Sequence, residues 1–531
     1  MVIPLGDLAG TSALARTFNT DYSRVAAFFN GDYSKAEAFA KQAEAVLATS
    51  HADRQAVVAV LTEQNQNMGA GPRTMERLKI LQRSDSLVVA TGQQVGLCTG
   101  PAYTIYKALS CCRLAQELER LLNKPVIPIF YLVTEDHDFE EVRWLGVLNG
   151  DHSFEKICYT PTHLPDRTPM SQVMLEPAIT QTLAQLAPHF DPDGDEWRQI
   201  TTCYRAGSTL PRAFAELFLH ILRDFGVVVL DPSDARFKQL ALPIFTAELN
   251  ATPSISAMLK TNTLLSQHGF HNQLAVHPQR PHLFILENGR HSLEKQADGW
   301  ADMHSGVVYS AADLLAQVHK LSPKAAIRPL VQDWLLPTVA YVGGPGEVAY
   351  FAQLKGVYEA HQLPMPVVVP RDGFTLMEPR LIRYLDKLGL SAGDFISEHS
   401  LALADVQRRL VPAHITDHVQ HIRQCLNSHW PDLAAAIIAL DPTLQSPVQK
   451  TENQILGGLE QLEAKLLRSL KQKQSVVTDQ VQAIQNVFRP GDELQERKLN
   501  LLPFLAKHPG LLNTLAEAVQ PLHPAHHIIA L

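Results

Sequence analysis

Leu87-Val88-Val89-Ala90-Thr91-Gly92-Gln93-Gln94-Val95-Gly96-Leu97-Cys98-Thr99-Gly100-Pro101 decides the fold of this chain. The apolar run 87–90 reads as a buried strand, and a helical pattern begins near Ala102 and continues to about Leu122. Between them three glycines recur at every fourth residue among threonines and glutamines. Such a loop carries little side-chain bulk. A ligand can approach its backbone closely, and its N–H groups can face an anion near the helix N-terminus. Pro125 to Val133 follows as a second buried strand, so the segment reads strand–loop–helix–strand with the crossover length of a parallel pair.

Similar units follow. Phe214 to Asp224 is an amphipathic helix feeding the apolar strand 226–230, and Glu347 to His361 is helical before the short strand 366–370. This alternation predicts an α/β fold, a Rossmann-like, doubly wound parallel-sheet core over residues 86–385. Residues 1–85 read as helices packed on that core, at 22–29, 34–48 and 53–67. Leu283 to Leu286 followed by Asn288-Gly289 marks a hairpin insertion near 270–310.

After Ile382 the strands stop, and 386–490 is assigned to a helical arm. Its two tracts, 402–440 and 446–488, are separated by Leu440-Asp441-Pro442-Thr443. In the second tract Ile455, Leu459, Leu462, Leu466, Leu470, Val477, Val481, Ile484 and Phe488 fall mostly at intervals of 3, 4 or 7, the heptad spacing of an antiparallel coiled coil. A pair of ordinary core helices would use the same periodicity. Residues 491–531 return to the core, with an apolar terminal strand.

The chain has 531 residues and a net charge of −8, with no Lys/Arg-rich run, which argues against nucleic acid as the main partner. No apolar stretch is long enough for a membrane span, and the first residues lack the basic and apolar regions of a signal peptide. The six cysteines contain no Cys-x-x-Cys spacing, and neither a disulfide framework nor a zinc site is expected. A cytoplasmic protein is the resulting expectation.

Three loops at the carboxyl ends of strands carry the candidate chemistry. In the first, Thr91, Gly92, Gln93, Gln94, Gly96, Thr99 and Gly100 supply backbone donors and amides, and Tyr103 and Lys107 lie one turn apart on the next helix. This is neither the Gly-x-Gly-x-x-Gly nor the Gly-Lys-Ser/Thr fingerprint. In the second, Glu135, Asp136, His137 and Asp138 crowd carboxylates around one histidine. His137 suits general acid/base work, and a carboxylate can hold its tautomer or orient an amine. In the third, Gly343-Gly344-Pro345-Gly346-Glu347 opens a helix, with Arg328, Gln332, Asp333 and Trp334 upstream and Arg371 downstream as a carboxylate or phosphate clamp.

Taken in order, Thr91–Pro101, Tyr103–Lys107, Thr134–Val142, Val342–Glu347 and Gln495-Glu496-Arg497 resemble the cysteine-adding enzymes of bacillithiol synthesis, the BshC family, over essentially the whole chain. Cys98 departs from the resemblance, which leads one to expect a bulky apolar residue there. The resemblance implies a Rossmann-like core with an antiparallel coiled-coil arm supporting a homodimer. It further implies a ligase that attaches L-cysteine to the amine of glucosaminyl malate, and binding of ATP, ADP or another adenine nucleotide. No metal is expected beyond Mg2+ accompanying the nucleotide. The reaction expected is two-step: an activated cysteinyl carboxylate forms, and the sugar amine attacks it with His137 or Asp138 as base. Two rivals make other predictions. A non-catalytic nucleotide-binding scaffold would tolerate loss of His137 but not of heptad positions, and a zinc-dependent deacetylase or hydrolase would be inhibited by chelators.

Overall fold

A computed structural model describes residues 1–49, 52–397, 413–473 and 475–531. The part of the first arm tract over 402–412 lies outside the described residues.

Five parallel strands form the central sheet: β1 (Leu87–Gln93), β2 (Val126–Leu132), β3 (Val228–Leu230), β4 (Thr338–Gly343) and β5 (Val367–Pro370). Their spatial order is β5-β4-β1-β2-β3. Four of the strands are almost wholly apolar, and β1 is so over its first four residues, because both faces are covered, as parallel sheets require. Side chains alternate between two cores: Ile127, Ile129 and Tyr131 join one, Phe130 and Leu132 the other. Helix α1 (Tyr103–Leu122) makes the crossover from β1 to β2 and stops at Asn123, which takes the left-handed conformation at φ 50°. The chain runs β1-β2-β3 to one side and then returns to place β4 and β5 on the other. The order therefore reverses between β1 and β4, where an open α/β sheet leaves a crevice at its carboxyl edge.

The inserted region is more than a hairpin. Residues 283–323 build a five-stranded antiparallel sheet, Leu283–Leu286, Arg290–Gln296, Gly299–Asp302, Val308–Tyr309 and Leu321–Pro323. At the other end of the chain, Ala525–Ala530 pairs in parallel with Gly373–Met377 and antiparallel with Val2–Pro4. The N-terminal region is helical at Ala13–Thr20, Ala36–Ala48, Arg54–Asn67 and Pro72–Leu81, whereas 22–28 forms only short 3-10 turns. The stretch expected to be one helix over 347–361 divides into α2 (Pro345–Phe351) and Lys355–Ala360.

The arm contains α3 (Ala413–Leu440), α4 (Gln445–Lys473) and α5 (Ser475–Phe488). Helices α3 and α4 pack together, with Arg423 bonded to Glu463 at 2.8 Å. The heptad series has two fates. Val481, Ile484 and Phe488 are buried against Leu381, Leu385 and Phe395 of the main body, while Leu462 is 60% exposed. The side chains of Leu470 and Val477 lie outside the described set.

Candidate functional site

The first strand runs three residues further than its apolar run suggests. Thr91, Gly92 and Gln93 pair with Phe130, Tyr131 and Leu132 of β2, so these residues belong to the sheet and not to a loop. Glycine is required here: a Cβ at Gly92 would lie 2.8 Å from the Tyr131 carbonyl oxygen. Thr91 is buried and donates its hydroxyl to the Val342 carbonyl, tying β1 to β4. At the strand's end Lys107 reaches back from α1. Its buried ammonium donates to the Gly92 carbonyl (2.7 Å) and Gln93 Oε1 (3.0 Å) and pairs with Glu347. Gln93 in turn donates to the Tyr103 hydroxyl at 3.0 Å. Burial pushes the Lys107 ammonium below the ordinary lysine value, and the Glu347 carboxylate opposes that shift.

The rest of the glycine stretch is closed to ligands. Leu97, Cys98 and Thr99 form a buried 3-10 turn, with Cys98 and Thr99 at φ 47° and 71°. Gly96 and Gly100 press together, since a Cβ on Gly96 would meet the Gly100 Cα at 2.8 Å. Asn500, from the C-terminal segment, donates to the carbonyls of Cys98 (2.6 Å) and Gly100 (2.7 Å), and the Ala102 N–H is taken by the Leu499 carbonyl. Gly96, Thr99 and Gly100 thus form a folded clasp under the C-terminal segment. The N-terminus of α1 is covered rather than offered to an anion.

At the end of β4 the glycines serve a second carboxylate. The Gly344 N–H donates to Glu347 Oε2 at 2.8 Å, and the Tyr341 hydroxyl donates to Glu347 Oε1 at 2.6 Å. Glu347 therefore caps its own helix and neutralises Lys107. Arg371, at the end of β5, makes a two-pronged bond to buried Glu496 (2.9 and 2.5 Å). It is a clamp, as its position suggests, but the carboxylate it holds belongs to the protein.

The acidic loop divides. Glu135 is buried and paired with Lys238, away from the crevice. Asp136 lies in the crevice wall and accepts from Gln94 Nε2 (3.0 Å), Arg290 Nη1 (3.1 Å) and the His137 N–H (2.8 Å). Burial alone would raise its carboxyl. Arg290 and these hydrogen bonds outweigh that and hold it below the ordinary value. His137 and Asp138 turn to a neighbouring opening lined by 160–168, with His137 Nδ1 3.6 Å from Asp136 Oδ1. Burial, with Arg167 and Arg290 nearby, pushes the imidazole below its ordinary value, so it is neutral at neutral pH.

What remains open is a crevice of about 360 Å3 between the ends of β1 and β4. Gly92, Gln93, Gln94, Tyr103, Lys107, Asp136, Gly344, Gly346, Glu347 and Arg371 reach it from the candidate set. Gly343 lines instead a second chamber of about 380 Å3 that shares Arg371, Arg497 and Gly346 with the first. The sequence set Arg328 beside the third loop without a role and passed over Tyr131 and Gln273, and all three line the crevice. Their signals were faint, because an apolar strand, a helix start and an insertion linker each supply one residue.

The family description "Bacillithiol biosynthesis BshC, N-terminal Rossmann-like domain" matches residues 3–372, and "Bacillithiol biosynthesis BshC, C-terminal coiled-coil domain" matches residues 374–531. Among similar proteins, one from Solibacter usitatus is 35% identical over 458 residues, 86% of this chain and 85% of the relative. One from Salinibacter ruber is 33% identical over 506 residues, 92% and 91% of the two chains. Both carry the name "Putative cysteine ligase BshC". With both domain descriptions matched end to end around a sheet whose order reverses at the crevice, the chain belongs to the BshC family of bacillithiol biosynthesis.

Proposed function

We propose that this protein is a ligase that joins the carboxyl group of L-cysteine to the amine of glucosaminyl malate, the last step of bacillithiol synthesis. The observation that carries this reading is the crevice at the β1/β4 switch point. There an ionised carboxylate, Asp136, faces the cavity beside Gln94. Arg290 and the His137 N–H take Asp136 Oδ1, and Oδ2, held by the neutral Gln94 amide, is the oxygen that suits an ammonium group; the amine must shed a proton before it can attack an acyl carbon. We assign Asp136, which lines both the crevice and the neighbouring opening, to receive the amine, and neutral His137, on the side of that opening, to accept the proton. Activation of the cysteine carboxylate by an adenine nucleotide with Mg2+ is part of the proposal. The phosphates are not assigned to Lys107 or Arg371, because Glu347 and Glu496 already neutralise both cations. A cytoplasmic homodimer, assembled through the arm, completes the reading.

The test is incubation of the purified protein with cysteine, glucosaminyl malate and ATP, followed by mass spectrometry for the amide-linked thiol and for AMP or ADP. The proposal expects product with the wild type and a loss of about 10²–10⁴-fold in Asp136→Asn, the size of a lost general base or amine receptor. If Gln94→Ala, Asp136→Asn and His137→Ala all make product at the wild-type rate, the assignment of this site is wrong.

A further inference from the structure

Five cations stand in or beside the crevice, and four of them are already neutralised. Lys107 pairs with Glu347, Arg371 with Glu496, Arg290 with Asp136, and half-exposed Arg497 with Glu493, which also holds Lys498. Arg328, the first residue of helix Arg328–Leu335, is different. Among the described residues no carboxylate lies within ion-pairing distance of it; it bonds to Tyr350, stands near the hydroxyls of Tyr131 and Tyr341, and feels the Asp136 carboxylate, already held by Arg290, from further off. One of these is itself unsatisfied: the Tyr131 hydroxyl is buried and has no hydrogen-bond partner, on a side chain only 3% exposed that lines the same crevice.

A guanidinium shut in without an ion-pair partner of its own, beside a buried hydroxyl with no partner, is costly in the absence of a ligand. The same pair becomes favourable when an oxyanion enters, because the planar fork of arginine matches two oxygens and the phenol can donate to either. We infer that Arg328 and Tyr131 form a carboxylate-binding subsite of the crevice. Charge balance favours a carboxylate over a phosphate chain. One unpaired cation neutralises one negative charge, and the remaining cations would have to abandon internal partners to meet more. The inference rests on the proposed reaction for the identity of its ligand, since both cysteine and the malyl group carry carboxylates. The malyl carboxylates and the cysteine carboxylate are the two sources to be separated.

Isothermal titration of the full-length protein with L-malate, L-cysteine and ATP, each alone, distinguishes these cases and needs no turnover. Arg328→Gln is expected to weaken binding of the carboxylate ligand by at least about tenfold and Tyr131→Phe by several-fold, while ATP binding is unchanged. Arg328→Lys, which keeps the charge but loses the fork, should fall between, and thermal melting of each variant shows that it is folded. Loss confined to malate assigns the subsite to the malyl group, and loss confined to cysteine assigns it to the amino acid. The inference is overturned if the wild type binds neither carboxylate at millimolar concentration. Wild-type carboxylate affinity in a folded Arg328→Gln, or a loss confined to ATP, would overturn it as well. Carboxylate binding that depends on Arg328 in a protein that makes no thiol product would leave the subsite standing and remove the proposed reaction.

Discussion

Lys107 and Glu347 meet across the switch point, joining the helix that follows β1 to the helix that follows β4. Each has further partners: the lysine has Gly92 and Gln93, and the glutamate has Tyr341 and the Gly344 N–H. The pair therefore ties the end of β1 to the turn that follows β4. Removing one partner strands the other charge, and for a buried pair this costs about 3–5 kcal/mol. Glu347→Gln and Lys107→Met are each expected to lower stability in urea by an amount of that order. The double variant should be less destabilised than the sum of the two. An additive double-mutant cycle would show that the contact contributes nothing.

Asn500 should matter to stability although it lies far in sequence from the glycine stretch. Replacing it by Ala leaves the buried carbonyls of Cys98 and Gly100 without their donors. The expected loss is roughly 2–4 kcal/mol, read from chemical denaturation. An unchanged midpoint would mean that the clasp is not closed in solution.

The thiol of Cys98 is inert on this structure. Cys98 is buried in a left-handed turn, and burial pushes its thiol far above the ordinary value. A disulfide reagent should modify exposed Cys425 first and half-buried Cys158 more slowly, reaching Cys98, Cys111, Cys112 and Cys203 only on unfolding. Cys98→Ala should leave ligation unimpaired, and rapid native-state labelling of Cys98 would contradict its placement.

Local signals made the sheet legible and long-range contacts hid the site. The apolar runs at 87–90, 125–133, 226–230 and 366–370 all became parallel strands, because burial on both faces demands apolar residues in unbroken series. The glycine motif was harder to read. Gly92 serves close approach to Tyr131 and Gly96 and Gly100 serve contact with each other, two demands that look identical in sequence to an anion loop. Glu135 and Asp136 are neighbours with opposite fates, and only the positions of Lys238 and Arg290, far along the chain, decide which faces the crevice.

His526 gives the fold a dependence on pH. It is buried on the C-terminal strand, with Nε2 2.8 Å from the Thr375 hydroxyl and with Glu496, Arg371 and His527 around it. Burial lowers its pKa to about 4, although Glu496 pulls the other way. In the unfolded chain it titrates near 6.5. The unfolded state therefore binds the proton first, and stability falls as pH drops from about 6.5 towards 4, by at most about 3 kcal/mol from this group. His526→Gln should lessen the fall of the denaturation midpoint over that window, buried His282, also lowered to about 4, keeping its own share, and an unchanged pH profile would show that His526 contributes nothing.

The arm carries apolar surface that the described residues leave exposed. Leu433 on α3 is 52% exposed, and Leu462 on α4 and Leu440 at the hairpin tip are 60% and 88% exposed. These lie on the α3–α4 hairpin, whereas the later heptad positions Val481, Ile484 and Phe488 are spent on the main body. Leucines left in water on one helical pair are the surface a second helical pair can bury, and each buried leucine contributes roughly 1.5–3 kcal/mol. The proposed homodimer should therefore depend on α3 and α4 and not on α5. Light scattering is expected to give twice the chain mass for the wild type. Leu433→Glu combined with Leu462→Glu should give a folded monomer with the wild-type melting profile of the core. A wild type that is monomeric at micromolar concentration, or a double variant that still dimerises, would place the association surface elsewhere.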